Sequence, residues 1–369
     1  MKRSAFVGLL GLALLGCGGT GGGGVGNGNG LTTADASALD RSRSGPGTSD
    51  PAVPGIVPRN QVMYDEFVDG TYLLRTIDPT GVGDAPYAVI PEEITALCPD
   101  PRDPKTWYFA ASAATGAHVF YARRLAVSGA EDLTPKAELK EIRSLQVAEN
   151  GRFAAFIGQP KEGEAKLFLL PLRTKGAVPL AIATATAFHV SPKSDRIVFT
   201  NGKLSVQAIS GVKLNGKIRP LGAKTAEQRF PQFNRDGSRI VFSGRESEKE
   251  KFDLYTISPD GQNEVRLTRT PEDDERGATF SATGDDLIYV IPGTDETLAG
   301  LYRMAVKTPA ERIRIKPSLN IGEARWTGND GRLRGTANVG LVLRPRPKAE
   351  KPKPETPVPE KPSVDKPGK

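Results

Sequence analysis

One pattern recurs along the chain at nearly constant spacing, and it limits the possible folds more than any other feature. Aligned on the strand that follows a tight turn, "PQFNRDGSRIVF" (231–242) matches "FHVSPKSDRIVF" (188–199), "LQVAENGRFAAF" (145–156) and "ATFSATGDDLIYV" (278–290). The turn position moves from Gly151 to Ser194, Gly237 and Gly284, in steps of 43, 43 and 47 residues. Self-similarity at a fixed period of this length marks stacked or radial repeats, in which each unit buries its apolar face against the next.

Within each copy, apolar residues alternate with period two: Ile240 and Phe242 point one way, Arg239 and Val241 the other. The strands flanking "DG" or "NG" form a hairpin, because glycine supplies the positive φ of such turns and Asp or Asn bonds its own backbone. Asp236-Gly237 and Asp260-Gly261 are therefore expected as structural blade turns and not as calcium ligands. A second run follows each copy, as in "KLFLLPL" (166–172), "KLSVQAI" (203–209), "DLYTISPDG" (253–261) and "GLYRMAV" (300–306), and short closing runs such as "EVRLT" come next. Four short strands in 43 residues make one blade of a β-propeller.

Weaker copies occupy 106–134 and 61–81, the latter lacking a first strand. That strand reappears at the far end as "EARWTGNDG" (323–331), which predicts that the ring closes by pairing the C-terminal segment into the N-terminal blade and so removes exposed sheet edges. The expectation is an all-β, six-bladed propeller of four-stranded antiparallel blades over residues 59–343. A seventh blade built from 323–343 is the competing count.

Residues outside the repeats have other compositions. Lys2 and Arg3 precede an eleven-residue apolar run, Ala5 to Leu15, too short to span a bilayer and shaped like a secretory signal. It ends in Leu14-Leu15-Gly16-Cys17, which resembles the lipobox of bacterial lipoproteins. That resemblance implies a signal peptide over 1–16 and acylation of Cys17, and multiple acyl chains hold a protein stably on a membrane. Residues 17–58, beginning "CGGTGGGGVGNGNG", bury too little to fold and read as a flexible tether of roughly 35 Å. Residues 344–369 alternate proline with charge and read as an extended, disordered tail. Gly18, where enteric lipoproteins retained at the inner membrane carry Asp, points to the outer membrane facing the periplasm.

The net charge of +7 suggests nucleic acid only until it is located. The tail holds eight Lys or Arg against four acidic residues, and Lys2 and Arg3 add two more charges, so the remainder is nearly neutral. A neutral body without an aromatic and basic groove argues against nucleic acid.

The repeat "PQFNRDGSRIVFSGR…DLYTISPDG…RLT" resembles the TolB-like family of bacterial propeller repeats, closely over 230–268 and more loosely elsewhere. The resemblance implies a six-bladed, non-catalytic propeller of the cell envelope that serves protein contacts. The segment before residue 58 is unlike the α/β domain that TolB itself carries, so a place in Tol-Pal assembly is not implied.

Chemistry leaves few marks. The chain has two histidines and lacks a Gly-x-Ser-x-Gly elbow, a His-Glu-x-x-His pair and a Cys-x-x-Cys pair, so no catalytic residue, metal site or cofactor is assigned. A carbohydrate-active propeller using scattered carboxylates, or a small-ligand or peptidoglycan-binding module, are the alternatives to an envelope-protein scaffold. Cys98 reads as a small buried residue. The acidic loop "PEDDE" (271–275) joins two blades and offers Asp273, Asp274 and Glu275 as partner contacts. His189, equivalent to Gln146, Gln232 and Thr279 on the strand that lines a propeller's channel, is a further contact candidate. Arg245 and Asp253 flank one hairpin loop and are expected to pair across it.

Overall fold

Strands that alternate apolar residues on both sides bury both faces only when sheets stand face to face around an axis. The computed structural model shows this arrangement. It describes residues 60–326 apart from 104 and 294, together with the backbone of Leu341–Val342. The signal, the tether with Cys17 and the Pro-rich tail lie outside the described residues.

Six antiparallel sheets form the blades. Blade 1 runs from the inside outward as Ile321–Trp326, Val62–Val68, Thr71–Ile77 and Ala85–Ile90. Blade 2 is Ile94–Pro99, Trp107–Ala113, Gly116–Ala122 and Glu131–Asp132, with Leu341–Val342 as a fifth strand on its inner edge. Blade 3 is Leu139–Val147, Phe153–Pro160, Lys166–Pro171 and Leu180–Thr184. Blade 4 is Ala187–Val190, Arg196–Thr200, Leu204–Ser210 and Lys213–Pro220. Blade 5 is Glu227–Phe233, Ile240–Arg245, Asp253–Ile257 and Val265–Arg266. Blade 6 is Arg276–Phe280, Asp286–Ile291, Gly300–Ala305 and Arg312–Pro317.

The ring closes as the sequence predicts. Ile321–Trp326 pairs antiparallel with Val62–Val68, Trp326 opposite Val62, and supplies the strand that the N-terminal blade lacks. The seventh-blade alternative is overturned, because Ile321–Trp326 belongs to blade 1 and Leu341–Val342 to blade 2.

The core is six separate clusters, one at each junction between blades. Ile240 and Phe242 pack with Val198 and Leu204 of blade 4, while Val241 between them turns to Leu287 and Tyr289 of blade 6. Tyr64 and Val62 meet Ile288 and Val290 across the closing junction. Burying a side chain of this size stabilises the fold by about 1.5–3 kcal/mol, so every blade depends on both neighbours.

The same alternation creates two faces. The turns that follow the first and third strands of a blade point to one face, and the loops between second and third strands and the inter-blade linkers point to the other. At the turns, Gly237 and Gly261 take φ of 73° and 87°, and each amide closes on the carbonyl three residues back, of Asn234 and of Ser258. Asp236 and Asp260 accept the amides of Ser238 and Gln262 at 2.7 and 3.0 Å.

Candidate functional site

The channel is ringed by one residue from each innermost strand. Gln146, His189, Gln232 and Thr279 are the penultimate residues of their strands, and the fold adds Cys98 from blade 2 and Arg325 from blade 1 at the same place. All six are buried. Gln146, His189 and Gln232 reach sideways to the next blade, and Arg325 reaches past blade 6 to blade 5. Gln146 Oε1 accepts the Val190 amide at 2.7 Å, and His189 Nδ1 accepts the Phe233 amide at 3.2 Å. With its amide oriented to satisfy both ends, Gln232 donates to Thr279 Oγ1 at 3.0 Å and accepts from the Arg325 guanidinium at 3.1 and 3.2 Å. Arg325 also pairs with Glu323 and donates to the Ala324 carbonyl at 2.7 Å. Burial pushes the Cys98 thiol up to about 12, which leaves it a packed thiol and not a nucleophile. The belt therefore ties blades together. Cys98 and Arg325 were missed in the sequence because "ITALCP" carries no polar marker and Gly331 stands one residue further from Arg325 in sequence than the aligned turn residue does from Gln146, His189, Gln232 or Thr279.

The acidic loop is built into the junction of blades 5 and 6. Asp273 pairs with Arg312 of blade 6, and Glu275, without solvent exposure, lies 3.8 Å from the same guanidinium. Thr268 Oγ1 donates to Glu275 and accepts the Leu254 amide, and Thr270 Oγ1 lies 3.2 Å from the other Glu275 oxygen. Asp253, from blade 5, pairs with Arg266 and accepts the Thr270 amide at 3.1 Å. Three carboxylates thus face two guanidiniums. Burial, together with the negative charge of Asp253, pushes the Glu275 carboxyl up to about 7 against the pull of Thr268, Thr270 and Arg312.

Of the four contact candidates, Asp273, Glu275 and His189 are enclosed and engaged with the protein's own groups, so none presents a surface to a partner. Asp274 keeps open surface and pairs with Arg276. The expected Arg245–Asp253 pair is not formed. Arg245 instead pairs with Glu227 and lies 4.9 Å from the Phe252 ring centre, because the strand register places Gly244 opposite Asp253.

Two adjoining cavities of about 340 Å³ each open on the turn face. One lies between the turns Asn234–Asp236 and Ala282–Gly284. The other lies between Asp78–Thr80 of blade 1, Ser281–Thr283 of blade 6 and the edge of Trp326. The linker face is richer in carboxylates. It exposes Glu92, Glu93, Glu138, Glu248, Glu250 and Glu272, with Lys136, Lys249 and Lys251 interspersed. Among the described residues no three His, Cys, Asp or Glu side chains are placed to hold a metal ion.

No protein-family model matches the chain, and no curated protein matches it significantly. Solved structures do. The fold is similar to TolB from Acinetobacter baumannii, 16% identical with a TM-score of 0.56 over 73% of this chain and 68% of that one. It is similar to the protein assigned as TolB in Agrobacterium tumefaciens, 14% identical with a TM-score of 0.52 over 75% and 92%. A chain of a nidogen/laminin complex is 11% identical with a TM-score of 0.51 over 72% and 97%. At these identities the likeness is one of fold, a β-propeller.

Proposed function

We propose that this protein is a non-catalytic, lipid-anchored propeller of the cell envelope, held at the outer membrane through Cys17 and binding an envelope protein through its linker face. The observation that carries the reading is the belt. Gln146, His189, Gln232, Thr279 and Arg325 are engaged in bonds between blades and Cys98 is buried, which leaves the two faces as the surfaces for recognition. Of these, the linker face has the stronger charge character, and a carboxylate-rich surface suits a partner with a cationic one. In this reading Glu272 and Asp274 meet the partner, while Asp273 and Glu275 anchor the loop beneath them and His189 holds the ring.

Photoreactive residues at Glu248 and Glu272 on the linker face, and at Lys193 and Arg235 on the turn face, test the reading in intact cells. A reproducible envelope protein attached to the linker-face probes supports it. The same yield from all four positions, or attachment at the turn face alone, overturns the choice of face. A Cys17→Ser chain that still sediments with membranes overturns the lipid anchor.

A further inference from the structure

The innermost strand of a propeller blade has one edge toward the axis, and the backbone groups along that edge have no partner within the blade. In five blades the axial edge carries no further strand among the described residues. Blade 2 differs. Its inner strand reads Ala96-Leu97-Cys98 where the corresponding positions elsewhere include Gln146, His189, Gln232 and Arg325, so it projects less side chain toward the axis. Leu341–Val342 fills that sector, pairing antiparallel with Leu341 opposite Leu97 and Val342 opposite Ala96. It also lies against the innermost strands of blades 1 and 3, which flank blade 2, so it runs inside the ring.

The sequence around this strand has a matching character. Val339 to Leu343 is an apolar run of five, set between Arg332 and Arg334 on one side and Arg344-Pro345-Arg346-Pro347 on the other. The antiparallel direction is informative too. Ile94–Pro99 runs from the linker at Pro91 to the turn face, so Leu341–Val342 is directed back toward the linker face.

We propose that the axial edge of blade 2 is a strand-accepting site for a short, extended apolar peptide, and that its resident is the chain's own Val339–Leu343 segment. Recognition is by backbone hydrogen bonds along the edge, with small side chains on the acceptor leaving room for the guest. This inference is independent of the membrane anchor and of the envelope partner.

The test uses the full chain with Cys17→Ser and Cys98→Ala. Ala96→Cys with Val342→Cys places thiols at directly opposite positions, where a disulfide is geometrically allowed. Glu66→Cys with Ile321→Cys, opposite one another at the ring closure, is the control. Oxidation is expected to close both pairs. Closure of the control alone overturns the proposal. Hydrogen exchange keeps the test decisive should the Ala96 variant fail to fold. Leu341→Pro, which cannot continue the ladder, is expected to raise exchange of the Ile94–Pro99 amides at least tenfold, and a synthetic peptide of residues 337–347 is expected to restore protection saturably. Exchange unchanged by Leu341→Pro, or a peptide without effect on the exposed amides, overturns the acceptor site.

Discussion

Two junctions on either side of blade 6 solve the same problem differently. At the closing junction with blade 1, Asp84 accepts from Tyr64 at 2.6 Å, from Arg75 at 3.0 Å and from Lys316 at 2.6 Å. Ser318 caps Glu66 at 2.7 Å, and Asp65 accepts the Glu323 amide at 2.7 Å. Burial works to raise the Asp84 carboxyl, but hydrogen bonds from Arg75, Lys316 and Tyr64 outweigh it and hold the group below its ordinary value. At the junction with blade 5, Asp253, Asp273 and Glu275 share only Arg266 and Arg312, and Glu275 is pushed up to about 7. One strand serves both, since Arg312–Pro317 sends Arg312 back to blade 5 and Lys316 forward to blade 1. The difference lies in how the cations are shared: at the closing seam Arg75 and Lys316 converge on Asp84, with Arg75 also 3.4 Å from Glu66, whereas at the seam between consecutive blades Arg266 and Arg312 go to Asp253 and Asp273 and Glu275 has only the 3.8 Å approach of Arg312.

The largest expected effect is at the closing seam. Asp84→Asn leaves Arg75 and Lys316 without their shared carboxylate and is expected to cost about 3 kcal/mol, read as a lower urea midpoint at pH 7. Because the folded-state pKa of Asp84 is depressed, its contribution is present above its ordinary value and is lost as pH falls through the folded one. The gap between wild type and variant must therefore narrow below about pH 4; a gap independent of pH breaks the comparison.

Glu275 has the opposite sign. Its folded pKa of about 7 lies above the ordinary 4.5, so the protonated form is favoured by folding. That stability is fully present below pH 4.5 and is lost as pH rises through 7, by about 3 kcal/mol at most. Glu275→Gln keeps an acceptor for Thr268 and removes the charge, while Arg312 retains Asp273. It is expected to flatten the dependence of the urea midpoint between pH 5 and 8 and to be the more stable protein at pH 8. A variant that follows the wild-type slope would show that another group titrates there.

These junctions also show what was legible beforehand. Period-two alternation and the spacing of the turns from Gly151 to Gly284 identify the blades, and the orphan first strand at 323–331 identifies the closure. Equivalence by position linked His189 to Gln146, Gln232 and Thr279. The same alignment did not reveal that Glu275 is buried, because an acidic run reads as solvated and its partner Arg312 lies on another blade. Nor does an alignment foresee Lys316 reaching Asp84 across 232 residues. Repeats encode contacts within and between equivalent strands; they are silent on ion pairs that occur in one junction only.

Arg325 sharpens the comparison because it belongs to blade 1 and bonds Gln232 of blade 5. Arg325→Met removes the guanidinium and leaves Gln232 and Glu323 short of a donor. It is expected to cost about 2 kcal/mol, seen as a Tm lower by several degrees. Wild-type stability in this variant would mean that the belt is filled by packing alone and that the two seams carry the ring.

The smallest effect supplies the uncharged reference for both seams. Ser194 sits at φ 56° in the turn position held by Gly151, Gly237 and Gly284 in the other copies. Its backbone is strained, yet its hydroxyl accepts the Asn150 amide at 3.3 Å. Ser194→Gly relieves the first and loses the second, so the net gain is expected to stay under about 1 kcal/mol. Gly237→Ser imposes the same strain where a Cβ would meet nothing within 4 Å, and with no inter-blade bond to offset it the loss is expected near 1 kcal/mol. Neither exchange alters a titratable group. Both shifts, read as urea midpoints, should therefore be equal at pH 5 and pH 8, and a pH-dependent shift in either would mean that the slope assigned to Glu275 comes from the ring as a whole.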